Sequence, residues 1–119
     1  MSYIDGFVVP VPKDKIEAYK QMSLACGAIW KEYGALEYRE TIGDDVPAGK
    51  VTSFPQSVNL LEGEVVAFSW IVYESRARRD EVNEKVMKDA RMASYMQPEN
   101  MPFDGKRMIY GGFEMLIDL

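Results

Sequence analysis

The run from Glu64 to Glu74 constrains the fold more than any other part of the chain. It is rich in β-branched and aromatic residues, which are typical of a β-strand. Successive side chains of a strand point to opposite faces. One face then carries Val66, Phe68, Trp70 and Val72, and the other carries Val65, Ala67, Ser69, Ile71 and Tyr73. Because both sets are mainly apolar, the pattern predicts a strand at the centre of a sheet that is covered on both sides.

The last stretch of the chain, residues 101–119, has a similar character. Pro102 and the pair Asp104-Gly105 are typical of a turn, and the residues after them predict a strand that runs to Leu119. Alternate residues from Arg107 and from Met108 form its two faces, and both faces are mostly apolar. A strand of this kind must be covered on both faces, which indicates a partner subunit.

The remaining elements follow from periodicity and from residues typical of helix ends. Asp14 and Glu17 predict a capping box for a first helix, Gly34 predicts its end, and Ser75 predicts the N-cap of a second helix. Before the final strand, the predicted order is strand 3–11, helix 14–33, strand 35–42, strand 64–74 and helix 75–95. In the strand 35–42, alternation places Leu36, Tyr38 and Ile42 on the inward side.

This order predicts one α+β domain over residues 1–119, with the ferredoxin-like βαββαβ arrangement. We expect a four-stranded antiparallel sheet with two helices on one face. The other face would be covered by a second copy, which gives a homodimeric α/β barrel. A long loop insertion at about residues 43–63 separates the second and third strands, and it is a candidate lid with Phe54 as its apolar anchor.

Composition excludes several classes of function. The net charge is −5 and no basic cluster dominates, which argues against nucleic-acid binding. No apolar run approaches the roughly 18 residues of a membrane-spanning helix, and the first residues do not resemble a signal peptide. The single cysteine, Cys26, fits a reducing compartment, so we expect a cytoplasmic protein. The chain has no histidine, and we therefore expect no metal site and no cofactor.

Several residues have both a functional and a structural interpretation. For Cys26 and Trp30, core packing is favoured over a nucleophile and a ligand platform. For Asp5, a solvated position at a strand start is favoured over a buried carboxylate. The run Arg76–Asp80 is interpreted as a solvated, salt-bridged helix face rather than an anion site. The methionines from Met87 to Met108 indicate adaptable packing rather than a metal site.

Three motifs identify a resemblance to a known family. They are Gly34-Ala-Leu-Glu-Tyr-Arg-Glu40, the run Phe68-Ser-Trp-Ile-Val-Tyr-Glu-Ser-Arg-Ala-Arg-Arg-Asp80, and the final Met101-Pro-Phe-Asp-Gly-Lys-Arg-Met-Ile-Tyr-Gly-Gly-Phe-Glu114. Over essentially the whole chain, the sequence resembles the YbaA-like family of uncharacterised bacterial proteins. The resemblance implies the dimeric α+β barrel superfamily, which includes cofactor-free quinol monooxygenases, haem-degrading enzymes, lactone isomerases and ligand-sensing domains. The haem-degrading branches typically use a histidine, so the resemblance does not favour them here.

By analogy with that superfamily, the first hypothesis is a cofactor-free enzyme with monooxygenase- or isomerase-like chemistry on an aromatic or phenolic metabolite. The predicted catalytic residues are Glu114 as a general base, Arg107 as an oxyanion stabiliser, and Asp104. The predicted substrate-binding residues are Tyr38, Phe54, Trp70 and Tyr110.

Each of these residues also has a structural interpretation. Asp104 would then only form the turn, and Arg107 would pair with Glu114 across the dimer. The second hypothesis is accordingly a non-catalytic dimeric module that binds or senses a small apolar or aromatic ligand. The sequence leaves both hypotheses open.

Overall fold

The computed structural model describes residues 2–119 and contains one four-stranded antiparallel sheet. The strands are β1 (Tyr3–Pro12), β2 (Glu37–Ile42), β3 (Glu64–Tyr73) and β4 (Ile109–Glu114). Their order across the sheet is β2-β3-β1-β4, so the predicted central position of β3 is confirmed. The α+β class and the antiparallel four-stranded sheet predicted from the sequence are also confirmed.

Three helices accompany the sheet: α1 (Ile16–Tyr33), the short α2 (Phe54–Ser57) and α3 (Arg76–Lys88). Two of the predicted helix ends are confirmed. Gly34 follows α1 with a φ of 122°, and its N–H bonds to the Lys31 carbonyl. The Ser75 hydroxyl caps α3 by accepting a hydrogen bond from the Arg78 N–H at 3.1 Å.

Two predicted boundaries were wrong. The capping box at Asp14 does not form, because Lys13–Lys15 make a 3₁₀ turn directly after β1 and no side chain caps α1. The second helix ends at Lys88 rather than near residue 95. Asp89 there adopts an extended conformation, since its carboxylate accepts hydrogen bonds from the Tyr33 hydroxyl at 2.7 Å and from the Arg91 N–H at 2.8 Å.

The register of the sheet defines two faces. The helix face contains the buried residues Tyr3, Asp5 and Val9 of β1, opposite Tyr73, Ile71 and Ala67 of β3. The open face contains the residues of opposite parity, including Phe68 and Trp70 of β3 and Ile109 and Phe113 of β4. The two faces of β3 are those that the sequence predicted.

The hydrophobic core lies between the helix face and helices α1 and α3. One part joins Ile29 of α1 and Val86 of α3 to Ile71 and Tyr73 of β3. A second part joins Val9, Val11 and Ala67 of the sheet to Tyr19 of α1. Both long helices therefore pack on the same face of the sheet, as expected.

The segment 43–63 packs on the open face. Phe54, at the start of α2, meets Phe68 edge to face with 5.7 Å between the ring centroids, and Val58 is almost completely buried. The backbone N–H of Gly43 bonds to the Val66 carbonyl at 2.7 Å. This segment therefore lies on the opposite side of the sheet from helices α1 and α3.

The final strand is shorter than predicted. β4 spans only Ile109–Glu114, and Arg107 lies before it. The Met115 N–H still bonds to the Ser2 carbonyl at 3.1 Å, but residues 115–119 form no further ladder. The expectation of a strand reaching Leu119 was wrong, because β1 offers no residues beyond Ser2 for pairing in the described part of the chain. No helix among residues 2–119 is both long enough and apolar enough to cross a membrane.

Candidate functional site

A cavity of about 450 Å³ lies between the helix face of the sheet and the helices. Its wall includes six of the eight methionines of the chain: Met22, Met87, Met92, Met96, Met101 and Met108. It also includes the aromatic residues Phe7, Tyr19, Trp30, Tyr38, Tyr95, Phe103 and Tyr110. Methionine is flexible and polarizable and contacts rings favourably, so this wall can adapt to a flat apolar molecule. The predicted adaptable packing of the methionines thus has a location.

A carboxylate, Glu40 of β2, is the centre of the polar end of the cavity. The Tyr19 hydroxyl donates to its Oε1 at 2.7 Å, and the Tyr38 hydroxyl donates to its Oε2 at 3.2 Å. The residue as a whole is exposed, because β2 is an edge strand, but its carboxylate is surrounded by protein. Desolvation by this surrounding protein raises the pKa of Glu40 above its ordinary value.

The groups around Glu40 are held in their neutral forms. Burial, followed by the negative charge of Glu40, raises the pKa of Tyr19 and Tyr38 well above the ordinary value of a phenol. Burial likewise raises the pKa of the Cys26 thiol to about 11, and Glu40 adds to the effect. Cys26 is therefore a neutral buried thiol at physiological pH, and the core interpretation is confirmed by its 5% exposure.

A groove of about 570 Å³ between α1 and β2 leads to the same carboxylate from the other side. The groove and the cavity share Tyr19, Ser23, Tyr38 and Glu40 in their walls. Gly27 of α1 allows this arrangement, because a Cβ there would lie 2.5 Å from Cδ1 of Tyr38. A glycine inside a helix costs about 1 kcal/mol relative to alanine, and here it admits the Tyr38 ring beside Glu40.

A second polar group in the cavity wall is the ion pair of Asp5 and Arg79. The Arg79 Nη1 lies 2.8 Å from Oδ1 of Asp5, and the guanidinium lies 4.8 Å from the centroid of the Tyr3 ring. Asp5 is only 6% exposed, so the expectation of a solvated Asp5 was wrong. The expectation of a solvated face was also wrong for Arg79, whose side chain is 19% exposed, although Arg78 does pair with Glu81 near the surface.

Asn83 links this ion pair to the aromatic wall. Its Oδ1 accepts hydrogen bonds from Trp30 Nε1 at 3.0 Å and from the Tyr73 hydroxyl at 3.2 Å. Its Nδ2 lies 3.4 Å from Oδ2 of Asp5. The side-chain network thus joins β1, β3, α1 and α3, and it fixes the orientation of the Trp30 ring.

The predicted catalytic residues lie away from the cavity wall. Arg107 forms two hydrogen bonds of 2.7 Å to the Glu64 carboxylate, and its Nε lies 3.0 Å from Oδ2 of Asp104. Arg107 also donates to the Asn59 carbonyl at 3.1 Å, so this cluster holds the turn before β4 against the segment before β3. Glu114 is exposed at the end of β4, opposite Tyr3, and it is not brought near Arg107 by any recorded hydrogen bond or ion pair among residues 2–119.

The predicted substrate-binding residues fall into two groups. Tyr38 and Tyr110 lie in the cavity wall on the helix face, and the Tyr110 ring stacks on Phe7 at 6.2 Å. Trp70 reaches the wall, but its ring packs beside Phe68 on the open face, with 5.7 Å between the centroids. Phe54 lies on the open face and not in the cavity.

Sequence reasoning missed Glu40, although a signal was present. In β2, Glu40 has the same parity as Tyr38 and Ile42, so a carboxylate occupies an inward position of an otherwise apolar face. Its tyrosine partner Tyr19 is 21 residues away and belongs to another element, so the pair could not be derived from spacing. Among the described residues, no cluster of three or more Cys, Asp or Glu side chains is placed to hold a metal ion.

Comparison with known proteins places the chain in a family. The family model described as "Protein of unknown function (DUF1428)" matches residues 2–105. The chain is 53% identical over 118 residues to the uncharacterized protein YbaA of Escherichia coli K12, with 99% of each chain covered. The proteins of that name in Escherichia coli O157:H7 and Shigella flexneri match with the same identity and coverage. The resemblance predicted from the three motifs is thereby confirmed, and the chain belongs to the DUF1428 family, as a YbaA-like protein.

Proposed function

We propose that the cavity binds a small, largely apolar molecule and that Glu40 acts on it as a general base, without a cofactor. The observation that carries this proposal is the placement of one carboxylate, held by two tyrosine hydroxyls, at the end of a cavity with an aromatic and methionine wall. Pockets with an apolar wall and a few convergent polar groups are typical of small-molecule sites.

The environment of Glu40 supports the role of a base. Desolvation raises the pKa of Glu40, and a carboxylate with a raised pKa accepts a proton from a weak carbon or oxygen acid more readily. Tyr19 and Tyr38 donate to the carboxylate in the resting protein. Once Glu40 has taken a proton, both hydroxyls lose their anionic acceptor and can donate to the negative charge that develops on the substrate. This arrangement suits isomerisation or cofactor-free oxygenation of an aromatic or phenolic compound.

The test compares Glu40→Gln with Glu37→Gln. Glu37 is on the same strand with the opposite parity, and it pairs with Arg39, so its substitution removes the same charge outside the site. A panel of phenols, enols and 1,3-dicarbonyl compounds is followed by NMR for exchange of protons with D₂O and for oxygen consumption. Turnover should be lost in Glu40→Gln and kept in Glu37→Gln. Equal turnover in both variants would remove Glu40 from the mechanism.

A non-catalytic binding module is the alternative, and one observation favours it. The carboxylate and the two tyrosines already satisfy each other, so the polar end of the cavity is complete without a reaction. This alternative predicts saturable binding of the same compounds with no exchange and no oxygen consumption. The substitution Glu114→Gln separates both hypotheses from the assignment made from sequence, since a catalytic Glu114 would make that variant inactive.

We also propose that the protein is a homodimer with the ferredoxin-like, dimeric α/β barrel architecture. The order of elements and the β2-β3-β1-β4 sheet support this proposal. The open face carries exposed large apolar side chains, and a second copy would cover them. These side chains are Phe54, Phe68, Ile109 and Phe113, which are 49%, 39%, 44% and 60% exposed.

Light scattering coupled to size-exclusion chromatography tests the dimer. We expect twice the mass of the 13.6 kDa chain for the unmodified protein, and a shift toward the monomer for Phe113→Asp. Circular dichroism of the variant shows whether the fold is kept. A monomeric unmodified protein would refute the dimer without affecting the proposal for Glu40.

A further inference from the structure

The cavity wall contains a carboxylate without a cationic partner. The charged side chains of the wall are Asp5, Arg39, Glu40 and Arg79. Arg79 is balanced by Asp5 at 2.8 Å and by Asp80 at 2.9 Å, and Arg39 pairs with Glu37 at 3.4 Å. No ion pair of Glu40 is recorded among residues 2–119, so the polar end of the cavity has a net negative charge.

The hydrogen-bond donors deepest in the site are already used within the protein. The hydroxyl protons of Tyr19 and Tyr38 point to Glu40, and the indole N–H of Trp30 points to Asn83. The groups left available there are acceptors: the carboxylate oxygens of Glu40 and the lone pairs of the two phenol oxygens. The hydroxyls of Tyr95 and Tyr110 make no recorded hydrogen bond in the described chain, but both residues lie toward solvent, and Tyr110 is 74% exposed.

From this distribution we infer that the ligand of the cavity presents a hydrogen-bond donor on a ring-sized apolar body, is uncharged or positively charged, and is not an anion. This inference rests on the proposed small-molecule site and specifies its substrate class. A carboxylate, sulfonate or phosphate at this end would face the unpaired charge of Glu40 and would find only donors that are already engaged. A phenol or an ammonium group would instead donate to Glu40, and the aromatic wall would favour the ammonium form further.

Glu40 is therefore a determinant of ligand charge as well as a candidate base. Arg79 is the residue that a search for an anion site would choose, and its geometry argues against that role. Its guanidinium is held by Asp5, Asp80 and the Tyr3 ring, so binding of an anion would have to displace an ion pair that is itself largely buried.

The experiment uses three naphthalene probes that share one body: 2-naphthol, 2-naphthylmethylammonium and 2-naphthoate. Binding to the full chain is measured by titration calorimetry at pH 7, with the unmodified protein, Glu40→Gln and the control Glu37→Gln. The unmodified protein should bind the naphthol or the ammonium probe at least roughly tenfold more tightly than the naphthoate, because an unpaired carboxylate lies at the binding end. Glu37→Gln should keep this discrimination, and Glu40→Gln should bring the naphthoate close to the naphthol.

Three outcomes would overturn the inference: naphthoate binding as tightly as the other two probes in the unmodified protein, unchanged discrimination in Glu40→Gln, or no binding of any probe. The last outcome would also overturn uptake by the cavity. Selective binding without turnover of any compound supports the inference and refutes only the general-base role. Turnover of an anionic substrate refutes the inference and leaves that role standing. Circular dichroism confirms the fold of each variant, and Glu40→Ala provides a second variant in case the amide introduced by Glu40→Gln forms a new hydrogen bond.

Discussion

The buried ion pair of Asp5 and Arg79 gives a prediction about stability that depends on which partner is removed. The side chain of Asp5 is 9% exposed and that of Arg79 is 19% exposed. In Arg79→Met, a buried carboxylate loses its counter-charge, and breaking a buried pair in this way typically costs about 3–5 kcal/mol. In Asp5→Asn, Arg79 keeps Asp80 at 2.9 Å and partial access to water, so we expect a smaller loss of about 1–2 kcal/mol.

Urea unfolding followed by circular dichroism measures both losses. A domain of 119 residues has a free energy of unfolding of about 6–18 kcal/mol, so a loss of about 4 kcal/mol is readily measured. With a slope of about 2 kcal/mol per molar urea, the midpoint should fall by about 2 M for Arg79→Met. The protein concentration is kept constant, since a dimer would make the midpoint depend on it.

The double variant and a surface control complete the cycle. Asp5→Asn with Arg79→Met should lose less than the sum of the single losses, with a coupling of about 1–3 kcal/mol. Lys88→Met removes the exposed pair with Glu84, whose side chains are 75% and 67% exposed, and should change stability by less than about 1 kcal/mol. A loss for Arg79→Met no larger than that for Lys88→Met would show that the Asp5 pair is effectively solvated.

Three further predictions concern the site and its supports. Gly27→Ala should lower the urea midpoint despite the better helix propensity of alanine, because its Cβ would lie 2.5 Å from the Tyr38 ring; a stabilised variant with unchanged Tyr38 NMR signals would contradict this. Cys26 should react with iodoacetamide at pH 8 at least about 100-fold more slowly in the folded protein than in urea, because a pKa of about 11 against an ordinary 9.0 leaves about 100-fold less thiolate; equal rates would contradict its burial. Arg107→Lys should lower the free energy of unfolding by about 1–2 kcal/mol through loss of the two bonds to Glu64, yet leave binding of 2-naphthol unchanged; weakened binding would instead support the role in the site predicted from sequence.

The sheet was largely predictable because its signals are local. The two faces of β3 follow from alternation alone, and the structure places them as predicted. Gly34 and Ser75 mark helix ends through their own backbone and side-chain chemistry, and both predictions are confirmed. The helix ends that failed depend on contacts with other elements, as when Tyr33 holds Asp89 in an extended conformation.

The candidate site was less predictable, because its meaning depends on pairs that are distant in sequence. Asp5 was expected in water, and only the approach of Arg79, 74 residues later, makes its burial favourable. Arg107 and Glu64 are 43 residues apart, and their pairing gives the turn before β4 a structural support that no local pattern indicates. Glu40 was visible as an inward carboxylate, but its raised pKa comes from the protein packed around it.

The sequence by itself determined the α+β class, the central strand, the two apolar faces and the membership in a YbaA-like family. These properties follow from side-chain periodicity, turn residues and motifs, which act over a few residues or are compared position by position. Tertiary structure alone decided which charges are buried in pairs, and that Glu40, Tyr19 and Tyr38 meet at one cavity. The physical reason is that hydrogen bonds and desolvation depend on distance in space, and strands and helices far apart in the chain must first pack before that distance exists.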